Sequence, residues 1–436
     1  MQIHLSDLCS TNIKAGCWAL IFCMLLPYGV HSQRSVSAIS FSGLKKNKPS
    51  YLRRFIRQQP DESFDINQFE EDLQRLKNLT SVTQVSYRVD TTQNGLALSI
   101  FPEEALTLFP IVLFGGIKDN VWVQLGATDL NLFGRGIQGT AIYRNNDSRH
   151  NGQLYLRIPY LNGSKWGTSF HATHWASIEP LYFGDVPVFY EYDNSAIGAT
   201  LMRELAYNHW IEGGLSYFEE SYVKDDRHEG QNTPGPEEAT IPKLLFKLFH
   251  SVNRINYHYY LLDGWELSQN VQAIYDLSEF NEPGFYIYWM DVKYFQLLDR
   301  FKKGNLASRF RFGLAVNRES PFAPFVLDSQ VNIRGSGNRI DRGTGMLVWN
   351  LEYRRSVFER EKFAAQLVGF SDIGTWREPG GDLSQLFSEE TLQHFVGGGV
   401  RFIYKKAHNA VLRIDYGIDL RSSSSRGLVL GIGQYF

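Results

Sequence analysis

The last ten residues of the chain alternate strictly. Leu428, Leu430, Ile432, Gln434 and Phe436 fall on one face, and Gly427, Val429, Gly431, Gly433 and Tyr435 on the other. The stretch before them does the same. Leu412, Ile414, Tyr416, Ile418 and Leu420 are interleaved with Arg413, Asp415, Gly417 and Asp419. Strands that are apolar on one face and charged or glycine-rich on the other fit a sheet with lipid outside and water inside. The pattern recurs from about Phe109 to Phe436, for example in Phe310, Phe312, Leu314 and Val316 against Arg309, Arg311, Gly313 and Ala315. A terminal aromatic, Phe436, closes the last of these strands. The expected class is therefore mainly β: a transmembrane antiparallel barrel of about 16 strands at roughly 20 residues per strand and connection.

Composition agrees. Mean hydropathy is −0.27, and a barrel hides its membrane signal in alternation, so this low average does not exclude the bilayer. Aromatic residues make up 14% of the chain, enough to furnish girdles at both lipid interfaces. A net charge of −2 offers no basic excess for nucleic acid. Expected strands run from Val121–Thr128, the first, through Ile255–Leu262 and others to Leu428–Phe436, the last. An even number places both barrel ends on the periplasmic side. Glu219 to Pro242, charged and punctuated by Pro234-Gly235-Pro236, reads as a long hydrophilic loop. His171 and His174 point to opposite faces of one strand and do not share a metal.

Residues 1–32 read as a signal peptide. Lys14 precedes an apolar stretch from Ala15 to Val30, and Val30-His31-Ser32 supplies a cleavage site. Cys9, Cys17 and Cys23 are the only cysteines and all lie in that segment, so the mature chain is expected to carry no disulfide.

Residues 33–108 have another texture. Val36–Phe41 reads as a strand, and Pro49–Gln59 as a helix. A second helix is introduced by Asp65 and Gln68 as a capping box, with Phe64 and Phe69 as a hydrophobic staple. Val82–Asp90 and Leu96–Phe101 read as strands joined by Asn94-Gly95. The order is β-α-α-β-β: one small α+β periplasmic domain. With Ile39-Ser40-Phe41-Ser42-Gly43, Phe64-Asp65 and Leu76-x-x-Leu79 leading into Val82-x-x-Val85, this segment resembles a POTRA domain. POTRA domains are the periplasmic modules of the BamA/TamA outer-membrane assembly superfamily.

Inside the barrel, a loop of about 28 residues separates the strand ending near Val316 from the one starting near Met346, a length that usually marks function. It contains Asn332-Ile333-Arg334-Gly335. Glu352 lies on the polar face of the next strand, and Asp372, in Phe370-Ser371-Asp372-Ile373-Gly374, on that of the strand after. Two carboxylates aimed into a lumen need a partner, and an arginine carried by an inward-folded loop satisfies both with its planar fork. This set is similar to the superfamily's loop motif of Val/Ile-Arg-Gly and its acidic strand partners. The resemblance assigns Ile333, Arg334 and Gly335 to the loop, and Glu352, Phe370, Asp372 and Gly374 to its receptor. It also matches Asn131-Leu132-Phe133-Gly134-Arg135-Gly136 to the first hairpin. Ser336 stands where the family usually has an aromatic residue.

The resemblance implies an outer-membrane assembly factor with its N-terminal domain in the periplasm. Its partners would be unfolded outer-membrane protein clients, outer-membrane lipid, and accessory assembly lipoproteins or periplasmic chaperones. No cofactor, metal or nucleic acid is expected. Client strands would be templated at a seam between the first and last barrel strands, weakened by Gly427, Gly431 and Gly433. The alternatives are a translocation pore of the two-partner-secretion type and a passive porin. No Gly-x-Ser-x-Gly elbow and no Ser/His/Asp set is present, so an enzyme is not expected.

Overall fold

A computed structural model describes residues 34–115, 122–146, 149–183, 186–225, 234–278, 285–298, 303–316, 323–329, 331–337, 342–422 and 425–436. The expected signal peptide lies outside the described residues, as do Asp226, His228 and Glu229 of the expected 219–242 loop.

The N-terminal domain comprises β1 (Val36–Phe41), α1 (Pro49–Leu52), α2 (Ile66–Lys77), β2 (Val82–Thr92) and β3 (Gly95–Glu104). Its sheet runs β1-β3-β2, with β1 parallel to β3. Asp65 caps α2 by accepting from the Asn67 and Gln68 amides, and the Phe64 and Phe69 rings meet at 5.6 Å. The helix buries Phe69, Leu73 and Leu76 against Val36, Leu98 and Ile100. The first helix is shorter than the sequence indicates. One turn of α1 and a 3₁₀ turn (Arg53–Phe55) end it, because the Arg57 and Gln58 amides donate to the buried Asp72 carboxylate (2.7 and 3.2 Å) rather than to the preceding turn.

The remaining strands form the barrel and its inner loop. They are β4 (Leu108–Gly115), β5 (Trp122–Leu132), β6 (Ile137–Asn146), β7 (Arg149–Ile158), β8 (Trp166–Phe183), β9 (Val186–Ala206), β10 (His209–Lys224) and β11 (Glu238–Asn253). There follow β12 (Asn256–His258), β13 (Leu261–Asp276), β14 (Phe285–Leu297), β15 (Gly304–Val316), β16 (Phe325–Val326), β17 (Arg342–Gly343), β18 (Gly345–Glu359), β19 (Phe363–Arg377), β20 (Gln393–Tyr404), β21 (Val411–Asp419) and β22 (Arg426–Ile432). The ring closes with β22 beside β4; β12 is a three-residue strand paired to β13, and β16–β17 a separate ribbon. Among the described residues, sixteen strands make up the wall. Apolar residues such as Ile197, Leu215, Phe246 and Leu430 stand exposed on its outer face. Charged residues such as Arg309, Glu352 and Asp415 are buried on the inner one.

The strand number agrees with the expected one through two compensating differences. Leu108–Gly115, not Val121–Thr128, is the first strand. Pro110 and an unbroken apolar run hide its alternation, and proline is tolerated here because β4 lies at the closure of the ring. Ile255–Leu262 is not a wall strand. It leaves the wall as a turn, discussed below. The two ends of Glu219–Pro242 are strand rather than loop, since β10 runs to Lys224, β11 starts at Glu238, and the two pair from His209↔Val252 to Val223↔Glu238. The last strand stops at Ile432: Gly433 adopts φ +87°, and Tyr435 and Phe436 turn into the lumen. Phe436 therefore does not close an outward-facing strand.

Candidate functional site

The N-terminal domain is fastened to the short-turn end of the barrel. In Asn131–Gly136, the Asn131 side chain accepts from the Gly136 amide (2.7 Å) and donates to Asn47 (2.9 Å). Gly134, at φ +69°, comes so close that a Cβ would lie 1.8 Å from the Lys46 carbonyl oxygen. Lys46 reaches Asp129 (2.7 Å) and Thr107 (2.7 Å). The hairpin motif is thus the socket for the domain.

The loop between β15 and β18 enters the barrel from the opposite end. Phe325, Leu327 and Ile333 pack against Ile274, Ile287, Met346, Val348 and Phe395 of the wall. Two features let its tip dock. Gly335 has φ +94° and lies where a Cβ would meet the Gly417 backbone at 2.8 Å. Gly374 leaves the space that Ile333 fills, since a Cβ there would lie 2.4 Å from Ile333 Cδ1. Ser336 is buried and its hydroxyl donates to the Ile333 carbonyl (2.9 Å), tightening the turn.

Arg334 is the centre of the site and is fully buried. Its Nε and Nη2 donate to Asp372 (2.8 and 2.9 Å), its backbone N–H donates to the same carboxylate (3.0 Å), and Nη1 donates to Glu352. The guanidinium lies between two rings, 3.7 Å from the centroid of Phe370 and 4.3 Å from that of Tyr435. Tyr435 comes from the inward-turned end of the chain. It supplies, with Phe370, the ring packing that Ser336 lacks.

Ile333, Arg334, Gly335, Glu352, Phe370, Asp372 and Gly374 therefore lie together. The glycines assigned to the seam also have a role inside the lumen. A Cβ at Gly427 would lie 3.0 Å from the Gly335 carbonyl oxygen, and one at Gly431 2.3 Å from Arg413 Nε. Both make room inside the lumen for the loop and its neighbours. Gly433 makes the inward turn, and Phe436 packs beside Phe295 (6.4 Å) and under Arg354 (5.7 Å).

Several members escaped the sequence reading. Arg354 Nε donates to Glu352 (2.5 Å), Arg401 bridges Glu352 (3.2 Å) and Asp415 (2.6 Å), and Asn350 joins Asp372 (2.8 Å) to the Asn332 carbonyl (2.8 Å). The alternation puts all of them on the inner face, but no local spacing tells which pairs meet. Across the lumen, Arg342 pairs with Glu179 of β8. The loop is thereby held to both walls. His171 bonds Ser216 in the lumen (3.3 Å) and His174 bonds Ser195 on the outer face (3.0 Å), on opposite sides of β8.

Comparison with known proteins gives a consistent picture. Residues 35–102 match the family model described as POTRA, surface antigen variable number repeat. A comparison of the sequence with curated proteins returned no match. Among solved structures, CdiB from Escherichia coli superposes with a TM-score of 0.61 at 11% identity, covering 91% of this chain and 75% of that one. CdiB from Acinetobacter baumannii gives 0.55 at 14%, covering 92% and 74%. BamA from Haemophilus ducreyi lacking POTRA domains 1–3 gives 0.53 at 15%, covering 91% and 83%. With an apolar outer wall and its N-terminal domain across the short-turn mouth, the chain joins a segment that matches the POTRA model to a barrel of the fold seen in BamA and CdiB.

Proposed function

We propose that the protein receives unfolded client chains in the periplasm and assembles them into the outer membrane, pairing their strands at the seam between β4 and β22. The observation that carries this reading is the seam itself. One side of it, β22, has only 7 residues, whereas β9 has 21. Where one partner is this short, the closing ladder has room for few hydrogen bonds. Gly433 ends it there by turning the chain inward. Such a junction is the part of the ring that opens at least cost and offers unpaired edges.

The likeness to CdiB supports a second reading, in which a chain passes through the lumen as in two-partner secretion. The Arg334 loop, fixed to both walls, stands across that route and favours the seam.

The test is a disulfide lock. With Cys9, Cys17 and Cys23 replaced by serine, one cysteine is placed in 108–115 and one in 426–432. Oxidation is expected to abolish client assembly, and reduction to restore it. Full assembly by the oxidised protein would rule out a seam mechanism. Loss of secretion of a soluble chain with client insertion intact would favour the second reading.

A further inference from the structure

The segment between β11 and β13 departs from the wall and crosses the periplasmic mouth. Ile255, Tyr260, Leu261 and Leu262 are all buried. Tyr260 and Leu261 pack against Ala364, Ile403 and Val411, on the lumen side of β19, β20 and β21. In the ring, β14, β15 and β18 intervene between β13 and β19, so this is a contact across the lumen rather than along the wall. Ile255 and Leu262 pack on Phe295 and Ala307, with Phe436 alongside. Asn305 fixes the turn by accepting from the Leu262 amide (3.1 Å) and donating to its carbonyl (2.8 Å). Tyr259 holds a left-handed conformation, φ +61°, which a non-glycine residue adopts only under tertiary constraint.

From below, helix α2 of the POTRA domain grips the same turn. Asn78 at its C-cap donates to Asn256 (3.1 Å) and accepts from the Tyr257 amide (3.1 Å), and Gln74 donates to the Tyr257 carbonyl (3.2 Å). The POTRA domain also covers the β5–β6 and β7–β8 turns, through Asn47 and through Arg54, which donates to the carbonyls of Gly163 (2.5 Å) and Ser164 (2.7 Å). The domain thus shuts one side of the mouth and the turn the other, and α2 joins the two. The turn is not close-packed on its inner side. A cavity of about 150 Å³, lined by Tyr257, Tyr260, Phe295, Lys405, Gln434 and Phe436 among others, separates it from the end of the chain. The packing that holds it on this side is therefore incomplete, and the bonds from α2 add to it.

We propose that the β11–β13 turn is a gate at the periplasmic mouth and that α2, through Asn78 and Gln74, is the latch that keeps it shut. A load on the POTRA domain that shifts α2 withdraws these three hydrogen bonds from the turn and frees it to swing off the β19–β21 wall. This holds whichever class of chain the protein handles.

The test uses the full chain with Cys9, Cys17 and Cys23 replaced by serine and Ala364→Cys introduced beneath the turn. The probe is a small sulfonated maleimide, and folding is checked by heat-modifiable gel mobility. With the latch intact, the thiol introduced at position 364 is expected to label slowly. Adding Gln74→Ala and Asn78→Ala should raise the rate about tenfold, the scale of losing hydrogen bonds of ordinary strength. Deleting residues 256–260 should bring it to the rate of an exposed reference cysteine. Fast labelling with the latch intact, or slow labelling in every folded variant, overturns the gate. Fast labelling on deletion alone overturns the latch.

Discussion

Arg334, Arg354 and Arg401 are all fully buried, and Glu352 accepts from all three. A buried guanidinium is tolerated only when its donors and its faces are met, which is what Asp372, Glu352, Phe370 and Tyr435 do for Arg334. Replacing it removes one of the three guanidinium partners of Glu352 and the fork that meets Asp372, while both carboxylates stay buried. We therefore expect Arg334→Ala to destabilise the barrel by about 3–5 kcal/mol, read as a lower urea midpoint of the heat-modifiable band. A midpoint equal to that of wild type would mean that the pairing contributes nothing. Arg334→Lys keeps the charge but loses the fork and the stacking, and should fall between the two. At this scale the sequence was informative. Alternation placed Glu352 and Asp372 inward, and Arg-Gly in a long loop supplied the counterpart. Tyr435 was assigned to the same inner face as Gly431 and Gly433, yet nothing local indicated that it would stack on an arginine far back in the chain.

Among the elements, the segment joining β1 to α1 shows how a short stretch couples two units. Glu104, at the end of β3, accepts from the amides of Lys45 (3.1 Å), Lys46 (2.9 Å) and Asn47 (2.8 Å), while Asn47 and Lys46 reach the barrel. Burial alone pushes the Glu104 carboxyl up, but these N–H donors outweigh it and hold its pKa below the usual carboxylate value. The unfolded chain then binds the proton more readily than the folded one. The contribution to stability is complete above the ordinary carboxylate pKa and disappears as pH falls through the lowered folded value. Protection of the 45–47 amides against exchange, taken relative to the intrinsic rate at each pH, is expected to fall over that window in the wild type. Glu104→Gln should lack that pH dependence. The elements themselves were mostly legible, because hydrophobic periods of about 2.0 and 3.6 mark strands and amphipathic helices directly. The misreadings have physical causes. Pro110 masked β4, Asp72 captured the amides that would have extended the first helix, and β10 and β11 carry charges on a face that sequence alone assigns to solvent.

For the whole molecule, the POTRA domain covers one mouth of a barrel whose lumen is crossed by an inward loop. A passive porin predicts that deleting residues 33–106 leaves planar-bilayer conductance unchanged. We expect the deletion to raise it, because the deleted part includes α2 and the Asn47 joint. Unchanged conductance would return the porin reading to first place. The sequence by itself determined the period of alternation, hence a closed sheet with a lipid face and a polar lumen, and also the small α+β module before it. These are local properties, written every two or every three to four residues. Tertiary structure decided which strand closes the ring, where the last residues point, which carboxylate meets which guanidinium, and that Ile255–Leu262 blocks a mouth rather than spanning a wall. Each depends on contacts between residues far apart in the chain, where ring closure and buried-charge pairing, not periodicity, set the outcome.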